Sequence, residues 1–104
     1  MLSGEDGVQR PALDSAFDSR AGRALDLKYV RALRDAFVSA ECAGNILVVH
    51  TVSGMAMAAA AAIDSLDWPE VLGCIGGDDT VMAAVRTPEA APEIIERLNA
   101  IAAL

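Results

Sequence analysis

Two adjacent carboxylates, Asp78 and Asp79, follow Gly76-Gly77 and precede Thr80 in the gap between two short apolar runs. Glycine bends into backbone regions closed to other residues, so Gly76 and Gly77 read as a turn at the mouth of a sheet. A strand would send neighbouring side chains to opposite faces, whereas a turn lets Asp78 and Asp79 face one cation or two separate partners. The natural complement of such a pair is a guanidinium, whose planar fork of donors matches carboxylate geometry bidentately. The alternative is a solvated Asp-Asp turn. Mg²⁺ is a poor occupant because further oxygen-rich residues are lacking nearby, so no metal is expected.

Other reactive side chains are more isolated. Asp64 falls in the last turn of a helix read over Gly54 to Leu66, beside the negative end of the helix dipole, where a cationic partner would relieve a cost. His50 sits in an apolar strand without Cys, Asp or Glu at ligand spacing, which suits a core or interface histidine better than a metal ligand. Cys74 precedes the glycines as a nucleophile can, yet no histidine is near in sequence. Met55, Met57 and the alanine series read as helix packing. The Gly-Gly turn carries neither a Walker lysine nor a dinucleotide fingerprint.

The elements that must position these residues follow from periodicity. Residues 1 to 28 mix Gly, Ser, Asp, Arg and a proline without a sustained apolar face, and read as a flexible tail or linker. The folded domain spans 29–104. Leu33, Phe37 and Val38 lead into a first strand ending near Ala43-Gly44, with Tyr29 to Ala36 equally able to begin as a helical turn. Ala43-Gly44-Asn45 is a hairpin, and Ile46 to Thr51 is an apolar run of strand length. Ser53 is the expected N-cap of the alanine-rich helix, and Trp68-Pro69 ends it. Val71 to Ile75 and Val81 to Val85 are the third and fourth strands. Thr87 and Pro88 introduce a final helix, its regular part starting at Pro92, with Ile94, Ile95, Leu98 and Ile101 on one face. The predicted fold is α+β: a two-layer β-β-α-β-β-α sandwich with a four-stranded, mainly antiparallel sheet and both helices on one face. The other face is left partly open, which invites oligomerisation.

Composition limits the function classes. The chain has 104 residues, 54% of them hydrophobic, enough for one domain with one core. Its two cysteines make no metal or redox spacing and no disulfide scaffold, which points to a reducing cytoplasm. The uncharged stretch from Ala43 to Ile63 is interrupted by Asn45, His50, Thr51, Ser53 and Gly54, against a membrane span. The polar, charged N-terminus has no apolar core of a secretory signal. Residues 1 to 34 hold five acids against six bases, so of the total charge of −7 the remainder carries −8. So acidic a surface repels phosphate, and this chain alone is not expected to bind DNA.

Asn45 to Thr51, Gly54-Met55-Ala56, Ile63 to Trp68 and above all Leu72-Gly73-Cys74-Ile75-Gly76-Gly77-Asp78-Asp79-Thr80 resemble the C-terminal domain of bacterial arginine repressors. The resemblance covers about residues 30 to 104. It implies a domain that binds L-arginine as co-repressor and assembles as two stacked trimers. It also implies that operator DNA is read by a winged helix-turn-helix domain absent from these 104 residues, with the segment before Tyr29 as interdomain linker. By the same resemblance Asp78 and Asp79 recognise the arginine guanidinium, Asp78 from across the trimer–trimer interface, and Asp64 meets the ligand's ammonium. Met57, Cys74 and Gly76 fall at the same pocket. An amide side chain commonly stands where Met57 does, threonine at Cys74 and proline at Ser53; neither methionine nor a thiol replaces those polar contacts fully.

The leading expectation is therefore the effector-sensing and oligomerisation domain of a cytoplasmic transcriptional repressor of arginine metabolism, not an enzyme. The alternatives are a small enzyme on a pterin dehydratase-like fold, for which one histidine is a poor acid-base set, or an assembly domain that has lost its ligand.

Overall fold

The computed structural model describes residues 20–104, with side chains from Leu27 onward. Seven elements follow one another: α1 (Arg20–Ala36), β1 (Phe37–Ala43), β2 (Ile46–Thr51), α2 (Ala56–Leu66), β3 (Val71–Gly76), β4 (Thr80–Val85) and α3 (Ala91–Ala102). From β1 onward the order is the expected β-β-α-β-β-α. The tail read over 1–28 lies outside the described residues as far as 19, and the chain is helical from Arg20. Of the two readings of Tyr29 to Ala36, the structure takes the helical one. Tyr29, Leu33 and Ala36 recur at helical spacing on the face that meets the core, with Leu33 and Ala36 fully buried. The strand starts only at Phe37, with no loop between it and α1.

All strand pairings are antiparallel, in the order β1-β2-β4-β3, so β1 and β3 are the edges. Gly44, with φ at 62°, opens the two-residue connection between β1 and β2, where a side chain would be strained. Val49 pairs with Val81 and Leu47 with Ala83, which aligns their side chains beneath the helices. Helix α2 lies over β3 and β4, α3 lies over β1, and α1 packs against both helices. Ala56, Ala59, Ala60, Ile63 and Leu66 form the buried stripe of α2, and their small size lets its backbone come close to the sheet.

The start of α2 differs from expectation, and its end at Leu66 does not. Ser53 is not the cap of α2: Met55 holds that position, without a side-chain cap, because Gly54 turns the chain at φ 81° and delays the helix to Ala56. The amides of Gly54 and Ala56 donate instead to the Asp78 carbonyl, at 3.0 and 3.1 Å. At the other end Asp67 adopts the left-handed conformation, and its N–H closes onto the carbonyls of Ile63 and Asp64. Pro92 opens α3 as expected, after a turn in which the Ala90 amide donates to the Thr87 hydroxyl.

A charged clasp ties α3 to the segment before β3. Arg97 donates through both terminal nitrogens to Glu70, at 2.9 and 2.7 Å, and its guanidinium lies 5.6 Å from the Trp68 ring centre. The Arg97 guanidinium holds the Glu70 carboxyl below its ordinary value of 4.5. A depressed carboxylate contributes stability above its unfolded pKa, and that contribution is lost as pH falls through the folded one. Between pH 6 and pH 3 the urea midpoint should therefore fall further in the wild-type chain than in Glu70→Gln. The excess should correspond to roughly 1 kcal/mol, the range of a well-formed, partly exposed pair.

Candidate ligand-binding site

The expected site residues lie along one seam, where edge strand β3 runs beside α2. Gly76 makes the closest approach: a Cβ built there would sit 2.6 Å from the Ala56 carbonyl oxygen and 3.1 Å from the Met57 Cα. Only glycine fits, so Gly76 serves the site by letting the strand end tuck under the start of α2.

The turn that follows is held by its backbone, leaving its carboxylates exposed. The Gly77 amide donates to the Thr80 carbonyl at 2.9 Å, and the Thr51 amide to the Asp79 carbonyl at 2.8 Å. With the two bonds into the Asp78 carbonyl, the turn is fastened to the end of β2 and the start of α2. The side chains make lighter contacts. Ser53 Oγ donates to Asp78 Oδ2 at 3.3 Å, and Thr80 Oγ1 to Asp79 Oδ1 at 3.0 Å. Sequence reasoning did not find Ser53 as a neighbour of Asp78; 25 residues separate them, and no local pattern signals the contact.

Farther along the seam Cys74 and Asp64 come together. The Cys74 thiol lies 3.3 Å from the Ala60 carbonyl oxygen and 3.4 Å from Asp64 Oδ1. Burial, with the neighbouring Asp64 carboxylate, pushes the thiol up to about 12. This is the opposite of what a nucleophile needs. His50 is not its partner: it lies 3.7 Å from Glu41 and stands half-buried among the side chains of the open sheet face. Among the described residues no group of three or more potential metal ligands occurs.

Met57 projects into solvent at 71% exposure, on the rim of the seam between the turn and Cys74. The turn touches the first residue of α2, whereas Asp64 lies eight positions later, roughly 12 Å along the helix axis at 1.5 Å per residue. One chain therefore brings Cys74 to Asp64 and Gly76 to Met57, and keeps the Asp78-Asp79 turn at the far end. No described lysine, arginine or histidine pairs with Asp64, Asp78 or Asp79.

The sheet face away from the helices is apolar and open. Leu72, Ile75 and Met82 are 58, 79 and 54% exposed, and with Ile46 and Ala84 they line a shallow depression of about 560 Å³. No helix of the described residues is long and apolar enough to cross a membrane.

The model of the family described as arginine repressor, C-terminal domain, matches residues 33–100. The chain belongs to the arginine repressor family. The arginine repressor of Lachnoclostridium phytofermentans is 54% identical over 72 residues, 69% of this chain and 47% of that protein. That of Lachnospira eligens is 57% identical over 60 residues, 58% of this chain and 40% of its own. The match to the Symbiobacterium thermophilum arginine repressor reaches 96 residues at 36% identity, 92% of this chain and 61% of the relative. The chain spans about half the length of the first two repressors. The matched segment contains the whole seam, from Ser53 to Thr80, and these relatives are named for regulation rather than catalysis.

Proposed function

We propose that this chain is the L-arginine-sensing and assembly domain of a transcriptional repressor, acting in the cytoplasm on genes of arginine metabolism. The observation that carries this reading is the pair of exposed carboxylates, Asp78 and Asp79, on a turn fastened by backbone bonds and without a described cation of its own. A guanidinium presents donors on two edges and serves both carboxylates at once; an ammonium is a point charge. Asp64 takes the ligand's ammonium, with Gly76, Met57 and Cys74 shaping the space between. An extended arginine measures roughly 7 Å from its α-nitrogen to its guanidinium carbon. That is shorter than the stretch of α2 between turn and Asp64, which favours a ligand shared by two copies of the chain. Asp78 of one trimer then meets arginine held by the facing trimer, and the open face around Ile75 and Met82 supplies apolar area for subunit contacts. Contact with operator DNA belongs to a separate winged-helix domain joined before α1.

Thermal denaturation with added amino acids tests the reading. At about one hundred times its Kd, L-arginine should stabilise the chain by roughly 2.7 kcal/mol, and L-lysine at the same concentration by much less. Equal shifts with both, or none with either, would refute recognition of a guanidinium.

A further inference from the structure

Asp64 has a single described side-chain partner, Cys74, and that partner arrives from the neighbouring strand, ten residues away in sequence. The carboxylate sits in the last turn of α2, where the helix dipole disfavours it and no described cation offsets its charge. An exposed aspartate on a helix samples several rotamers. The thiol, half-buried between β3 and α2, stands where one of them brings Oδ1 to 3.4 Å.

We propose that Cys74 is a positioning residue for ligand recognition: its S–H holds Oδ1 of Asp64 and leaves Oδ2 directed at the α-ammonium of the amino-acid ligand. This rests on the reading of Asp64 as the ammonium acceptor. The thiol has one hydrogen, shared between Asp64 and the Ala60 carbonyl, so it has none left to donate to a ligand carboxylate. It is also a weak donor. A weak donor orients the carboxylate while neutralising little of its charge, which stays available to the arriving cation. The high pKa of the thiol agrees with a proton kept in place at neutral pH.

The test compares L-arginine with 5-guanidinopentanoate, which keeps the guanidinium and carboxylate and lacks the ammonium, by calorimetry in a Cys42→Ser background. Cys74→Ala should weaken arginine binding about five- to tenfold and leave the desamino compound unchanged, and Cys74→Ser should recover most of the loss. Cys74→Val, closer in volume and without a donor, should repeat the alanine result if that variant fails to fold. In Asp64→Asn the Cys74→Ala change should add nothing further for arginine. Equal losses for both compounds, or an undiminished Cys74 effect in Asp64→Asn, would overturn the proposal while leaving arginine sensing intact. Failure of the parent chain to bind arginine would overturn both. Alkylation of Cys74 by iodoacetamide at pH 9, without ligand, should be faster in Asp64→Asn than in the parent; an unchanged rate would show that thiol and carboxylate do not interact.

Discussion

Asp79→Ala should weaken L-arginine binding by about two orders of magnitude while leaving the ligand-free melting temperature nearly unchanged. Truncating one member of a desolvated charge pair costs about 2–5 kcal/mol, because the remaining charge stays buried without its partner. The fold loses little, because the turn is fixed by carbonyls and amides that substitution leaves in place: Thr51 to Asp79, Gly54 and Ala56 to Asp78. Asp78→Asn should behave differently in assembly. In the assembly proposed above, carboxylates from facing trimers would repel, and a shared ligand cation would turn that repulsion into attraction. Removing the charge should weaken arginine binding and also make hexamers less dependent on arginine. Calorimetry together with sedimentation over a dilution series, with and without ligand, reads both effects. A monomer at every concentration, or unaltered affinity in both variants, would exclude a carboxylate pair shared between chains.

Gly76→Ala should destabilise the chain by roughly 2–3 kcal/mol, the upper range for overpacking. That corresponds to a fall in melting temperature on the order of 10 °C for a domain of this size. The new methyl would meet backbone, the Ala56 carbonyl at 2.6 Å, which no rotamer change relieves. Gly77→Ala is the control: its methyl would meet nothing nearer than the Thr80 carbonyl at 3.7 Å, so stability should change by less than about 0.5 kcal/mol. Similar melting temperatures for the two variants would show that β3 and α2 yield more readily than their contact suggests.

The strands were legible because their apolar runs have strand length and are bounded by glycine and proline, as in Ile46 to Thr51. The fold class followed from their order. Helix α1 was half-hidden: its first turns fall inside the stretch read as a tail over 1–28, so a helical reading was offered only for Tyr29 to Ala36. The start of α2 was misplaced because Ser53 satisfies the usual cap chemistry, yet the donors it would serve are taken by a carbonyl from a turn far along the chain. Asp64, Asp78 and Asp79 stood out as charges beside apolar runs. Their arrangement did not, since the bond from Cys74 to Asp64 depends on the closeness of α2 to β3, a tertiary quantity set by the alanine stripe.

The uninterrupted passage from α1 into β1 joins helix and edge strand at a single fixed pivot. Ala36 is fully buried and Phe37 already lies in the sheet; the Val52 amide, just past β2, holds the Ala36 carbonyl at 2.9 Å. No slack residue separates helix from edge strand at this pivot. The 17 residues of α1 run roughly 25 Å back from it, packed against α2 and α3. The Val52 amide is next in sequence to the Thr51 amide that grips Asp79, so the pivot and the carboxylate turn are held by consecutive peptide units.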